Sequence, residues 1–129
     1  FLFDAGWDRL CERLGDVRRS FSAMLALGAR HSPARHLALQ QLYPGARVVL
    51  ADQAEPLLQR HGGENMLWSE NTAPLPAAAF DLVLCNGFLH TVNDVPGVLA
   101  QIRRTLKPDG LFLAALPGGR TLPELRDSF

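Results

Sequence analysis

Several positions in this 129-residue chain combine a residue type with a setting that could do chemistry. Asp52 closes the apolar run Val48-Val49-Leu50-Ala51, with Gln53 beside it, and either holds a ligand there or only ends a strand. Gly28 ends the run Ser22 to Leu27, where backbone can pass close to a ligand or simply turn. Arg30 and His31 follow it, just before Ser32-Pro33, a favoured helix start whose free N–H groups attract an anion; such side chains are also often only solvated. Ser69 and Glu70 come after a weaker apolar run, Asn65 to Trp68. Asn86 follows the strongest one, Phe80 to Cys85. His90, a few residues on, has an ordinary pKa of about 6.5 and is a candidate base or a structural histidine. Cys85 and Trp68 have a plainer reading as core.

No Ser/His/Asp relay, no convincing carboxylate pair and no HExxH-type pair accompanies these residues. The catalytic assignment is therefore unknown and no metal site is expected. Two cysteines, Cys11 and Cys85, are too few for a disulfide scaffold or a Cys-rich zinc site.

The elements that must position these residues follow from periodicity. Trp7, Leu10, Leu14 and Val17 recur at helical spacing and predict an amphipathic helix over 4–17. Strands are expected at 22–27, 48–51, 65–68, 80–85 and 111–115, all short and apolar. Between them lie helices from Pro33 to about Leu42, over 55–60, and from Val95 to Leu106. Lys107-Pro108-Asp109-Gly110 reads as a turn in which glycine accepts the positive φ. Thr121 and Glu124 stand at capping-box spacing and predict a further helix over 121–126. Strands alternating with helices give an α/β fold, a Rossmann-like doubly wound sheet of about five parallel strands. One domain is expected over 1–129, with an N-terminal helical segment at 1–20 and the α/β core at 21–129. In such sheets ligands sit beyond the carboxyl ends of the strands, where Gly28, Asp52, Ser69 and Asn86 fall.

Composition bounds the partners. Lys and Arg total 13, Asp and Glu total 13, and neither half is a charged tail, which argues against nucleic acid or an acidic membrane surface. The longest apolar run, Leu111 to Pro117, is far short of the ~20 residues of a membrane span. No secretory signal is recognisable and the thiols look unpaired, so a cytoplasmic location is expected.

Three segments then carry a resemblance. Phe80-Asp81-Leu82-Val83, Leu89-His90-Thr91-Val92-Asn93-Asp94 and Leu106-Lys107-Pro108-Asp109-Gly110 occur in the order seen in class I S-adenosylmethionine-dependent methyltransferases. Gly118 to Arg126 resembles the branch of complex I assembly methyltransferase-like proteins and their bacterial relatives, with biotin-pathway carrier-protein methyltransferases more distant. The resemblance implies strand order 3-2-1-4-5, truncated before strands 6 and 7. It implies S-adenosylmethionine as cofactor, held by Gly28, Asp52, Gln53, Ser69, Glu70 and Asn86, with Asp52 on the ribose and His90 on the substrate side. The family's glycine loop is degenerate here. Ala26 stands at its acid, Arg30 at its second glycine and Ser32 at its third.

The resemblance implies methyl transfer to an unknown acceptor, such as a protein in respiratory complex assembly, or arginine hydroxylation of a partner subunit as in the mitochondrial member. Alternatives are an inactive methyltransferase-fold scaffold or assembly partner that has lost the cofactor, and an anionic nucleotide or metabolite held by Arg30 and His31. Strand five would be an apolar edge, so the chain is expected to be a fragment or to form a homodimer across it.

Overall fold

The computed structural model describes residues 2–17, 19–71, 74–89, 92–115 and 125–126, with only the backbone described for residues 2, 125 and 126. The chain order is α1 (Leu2–Gly15), β1 (Ala23–Leu27), α2 (Pro33–Leu42), β2 (Arg47–Asp52), α3 (Glu55–Gln59), β3 (Glu64–Leu67), β4 (Phe80–Asn86), α4 (Val95–Thr105), β5 (Leu106–Ala115) and β6 (Leu125–Arg126). They build one sheet of order β3-β2-β1-β4-β5-β6. The first five strands are parallel, in the expected order 3-2-1-4-5. Residues 2–15 form the helical part of the expected N-terminal segment.

The central strands β1, β2 and β4 are largely apolar and buried because helices cover both faces of the sheet, whereas the edge strand β3 is mostly exposed. Alternate side chains go to opposite sides. Leu25, Leu27, Val49, Ala51, Val83 and Phe112 point to the layer of Val98 and Ile102 on α4. Met24, Ala26, Leu50, Leu82, Leu84 and Leu113 meet Trp7, Leu10 and Leu14 of α1 and Leu39 of α2. The 7-10-14 spacing that marks α1 as amphipathic is thus its buried stripe.

Local chemistry sets the helix starts. The Ser32 hydroxyl accepts from the Arg35 N–H at 3.3 Å and Pro33 occupies the first turn of α2. Asp94 caps α4 by accepting from the Gly97 N–H at 3.0 Å. At the opposite end of the sheet, the Asp81 carboxylate accepts from the N–H groups of Ser22 and Ala23, which fastens the start of β1 to β4.

Two local expectations are corrected. In the Lys107–Gly110 segment the left-handed residue is Asp109, at φ 64°, and not Gly110. Aspartate tolerates that conformation, whereas Gly110 is needed for space: a Cβ there would stand 2.8 Å from the Lys107 carbonyl oxygen. The segment is also part of β5, whose pairing with β4 shifts register between Phe80 and Leu82. Further on, Leu125 and Arg126 are not helical. They pair antiparallel with Phe112 and Leu111, since an open strand edge offers backbone partners that a solvent-exposed helical turn lacks. The rest of that predicted helix, 121–124, lies outside the described residues.

No helix among the described residues is long and apolar enough to cross a membrane.

Candidate functional site

Parallel strands deliver their carboxyl ends to one rim. There β1 runs into Gly28, β2 into Asp52 and β4 into Asn86 and Gly87. Together with Arg30, Gln53, Ala54 and Phe88 these residues line a narrow cleft of about 40 Å³. Gln53 also borders a shallower depression of about 340 Å³ lined by Leu67, Trp68 and Ser69. Gly28, Asp52, Gln53, Ser69 and Asn86 therefore come together as expected from their places at strand ends.

Gly28 is there for two physical reasons. Its φ is +103°, and a Cβ on it would stand 2.6 Å from the Asn86 carbonyl oxygen. Its N–H donates to the Ala51 carbonyl at 2.8 Å, which ties the start of the loop to β2. Backbone alone fits between β2 and β4 at this point.

Asp52 is buried, 5% exposed. One carboxylate oxygen accepts from the Ala29 N–H at 2.8 Å and the other from the Ala54 N–H at 2.9 Å. The side chain thereby locks the glycine loop to the start of α3. Each oxygen retains a second lone pair for a further donor.

Asn86 is also buried, and its side-chain amide donates to the Phe3 carbonyl at 2.8 Å. Arg30 is exposed and holds its guanidinium 5.3 Å from the centroid of the Phe3 ring. Both link the rim to α1, a connection that no local pattern announces.

Three expectations change here. The α2 N-terminus is not open to an external anion, because Asp4 of α1 accepts from the Ser32 N–H at 2.7 Å and lies 3.4 Å from Arg35. His31 does not face solvent beside Arg30. It is fully buried, and its ring lies on Trp7 with centroids 3.6 Å apart and planes 6° from parallel. Glu70 does not line the cleft or the depression beside it; its two oxygens accept from the N–H groups of Asn93 and Asp94 at 2.7 and 2.9 Å and hold the approach to α4. His90 lies outside the described residues.

Sequence reasoning missed a buried histidine cluster. His31 and His36 bring Nε2 and Nδ1 within 3.0 Å of each other. The His61 ring nitrogens lie 3.0 and 2.9 Å from the carbonyl oxygens of Leu57 and His31. Burial, reinforced by the charges of His36 and His61, pushes the His31 pKa down to about 2, and burial with His61 pushes His36 to about 4. A signal existed: His36 and Leu39 share the inward face of α2. Among the described residues no group of three or more His, Cys, Asp or Glu is placed to hold a metal ion. Both thiols are free; burial pushes Cys85 up to about 12, and burial with the Asp8 charge takes Cys11 to about 11, so neither is a ready nucleophile.

The chain is similar to known proteins in sequence and fold. The family model for a methyltransferase domain matches residues 25–114. The mitochondrial arginine-hydroxylase NDUFAF5 of Danio rerio is 36% identical over 126 residues, covering 93% of this chain and 38% of that protein. A malonyl-[acyl-carrier protein] O-methyltransferase of Xylella fastidiosa is 35% identical over 101 residues, covering 72% of this chain and 34% of the other. The chain thus spans little more than a third of the length of these relatives. Among solved structures, an S-adenosylmethionine-dependent methyltransferase from Mesorhizobium loti superposes with a TM-score of 0.68 at 24% identity, over 87% of this chain and 53% of that one.

Proposed function

Since the chain belongs to the methyltransferase-domain family, we propose that the rim around Gly28 and Asp52 binds S-adenosylmethionine and serves methyl transfer to a protein acceptor. The observation that carries this reading is the meeting of Gly28 and Asp52. A backbone cradle that a Cβ would fill lies beside a buried carboxylate with unused lone pairs, at the carboxyl ends of β1 and β2.

The residues present fit the cofactor's chemistry. Asp52 would take the ribose hydroxyls, the Gly28 backbone the amino-acid part, and the depression of Gln53, Leu67, Trp68 and Ser69 the adenine. Bound there, S-adenosylmethionine supplies an electrophilic methyl group on a sulfonium. What the chain's own residues contribute is position: Asp52 fixes the loop through Ala29 and Ala54, and Gly28 lets the backbone approach. Displacement of this kind needs no protein nucleophile, so inert thiols are no obstacle.

A protein acceptor is favoured by the Danio rerio relative, named for hydroxylating arginine. That name also supports a second reading, in which the same rim serves hydroxylation of arginine, with dioxygen as the oxidant and an external two-electron donor reducing its second oxygen atom to water. Mass spectrometry of the acceptor distinguishes an added methyl from an added oxygen. Free Cys11 and Cys85 suit a reducing compartment such as the cytoplasm. Among the described residues β6 pairs with β5 opposite Leu111 and Phe112, so we expect further chain or a second copy along the rest of that edge, and a gel-filtration mass of one chain at high concentration counts against the dimer.

Calorimetric titration with S-adenosylmethionine and S-adenosylhomocysteine tests the cofactor reading. Micromolar binding that is lost in Asp52→Asn is the expected result. No heat with either ligand leaves the fold as a scaffold and ends this reading.

A further inference from the structure

The part of the rim walled by Gly28, Arg30, Asp52 and Asn86, proposed for the ribose and amino-acid part of the cofactor, has a volume of only about 40 Å³, against about 340 Å³ for the neighbouring depression proposed for the adenine. Pockets for whole ligands of this size run to roughly 300–1,000 Å³, so this narrow part is the constriction.

Three of the residues that line it also touch the first turn of α1. Arg30 lies over the Phe3 ring, and the Asn86 amide donates to the Phe3 carbonyl. Gly87, at φ +67°, lies so close to the Phe3 ring that a Cβ there would collide with it. One residue later Asp4 holds the Ser32 N–H, and one turn later Trp7 stacks on His31. The start of α1 is therefore tied to both walls of the cleft, to the end of β4 and to the β1–α2 loop.

These ties differ in depth. Trp7 and His31 are buried and stacked and anchor α1 one turn further in, whereas Asn86 holds Phe3 through one hydrogen bond to its carbonyl. Phe3 is half-buried and Arg30 exposed. A cation over a ring at an exposed site shifts an equilibrium by only a factor of about two to five. That suits a contact made and broken reversibly.

We propose that the first turn of α1 is a strap that keeps the cofactor cleft closed, with Arg30 on Phe3 as its releasable latch. This rests on the cofactor reading given above. The family's glycine at the position of Arg30 would leave the rim open. The arginine instead reaches across the cleft to hold Phe3 down, and the cofactor enters when the latch lets go. Deeper contacts at Trp7 keep the rest of α1 in place meanwhile.

The test titrates S-adenosylhomocysteine into the wild-type chain, Arg30→Ala and Phe3→Leu by calorimetry. It also follows amide hydrogen exchange at Gly6, Trp7 and Asp8, the first amides able to bond back to carbonyls within α1. Arg30→Ala is expected to bind about two- to fivefold tighter, since the closed state loses its latch. Phe3→Leu moves the same way. Saturating ligand speeds exchange at Gly6 to Asp8 in the wild type. Equal affinity in all three proteins overturns the strap while the cofactor reading stands. Weaker binding by Arg30→Ala makes Arg30 a ligand contact and also overturns it, as does slowed exchange in the first turn. If none of the three binds, the cofactor reading fails and the strap with it.

Discussion

His31 lies flat on Trp7, with ring centroids 3.6 Å apart, and so joins the loop after β1 to the middle of α1. Both rings are buried. The contact explains why α1, joined to β1 by residues 16–22 and outside the sheet, is part of the folded unit: it seals the layer over Met24, Leu50 and Leu82 and reaches the rim at the same time. Trp7→Ala should cost about 3–5 kcal/mol, because a large buried ring leaves a cavity that its neighbours only partly fill. Urea unfolding followed by circular dichroism measures it. A loss under about 1 kcal/mol means that α1 is not part of the cooperative unit.

The histidine cluster sets a pH dependence whose sign follows from burial. His31 and His36 have native pKa values of about 2 and about 4, against 6.5 for an unperturbed histidine. Below pH 6.5 the unfolded chain takes up protons that the native chain refuses, so stability falls as pH drops. Above 6.5 the contribution is fully present. Urea midpoints at pH 7.5, 6 and 5 should decline with acidity before most carboxylates titrate, and His36→Gln should flatten the decline. A midpoint unchanged between pH 7.5 and 5 contradicts a buried, neutral His31 and His36.

Asp52 has two roles that can be read apart. Asp52→Ala leaves the Ala29 and Ala54 N–H groups without their acceptor and should destabilise the fold by about 1–3 kcal/mol. Asp52→Asn keeps an oxygen for one of them and should cost less, yet still lose binding of S-adenosylhomocysteine. Thermal melts beside calorimetry on the same samples decide it; an Asp52→Asn variant that binds as well as wild type removes Asp52 from the cofactor site.

Glu70 should separate from the site altogether. Its carboxylate holds the N–H groups of Asn93 and Asp94, and Asp94 caps α4. Glu70→Ala is expected to cost about 1 kcal/mol of stability and to leave cofactor affinity within about twofold. A tenfold loss of affinity at unchanged stability would return Glu70 to the binding site.

The architecture was open to reading from the residues alone, and so was the location of the rim. The central strands are short unbroken apolar runs and α1 and α4 carry apolar stripes, so buried runs alternate with a 3.6-residue period along the chain and point to a parallel sheet. Ser32-Pro33 starts α2 and Asp52 ends β2, both as local chemistry requires. These features depend on neighbours a few residues away. What packing alone decided are the meetings between residues far apart: His61 with His31, Asn86 with Phe3, Glu70 with Asn93. His31 beside Arg30 looks like an anion ligand in one dimension and becomes a buried aromatic in three, because stacking its ring on Trp7 of α1 removes apolar surface of both rings from water. Leu125-Arg126 likewise became strand and not helix once the edge of β5 was there to pair with. Local pattern specifies which elements form and which way each faces; the partner of a buried polar group is settled only when those elements close around it, since its hydrogen bonds must then be met by whatever lies within about 3 Å.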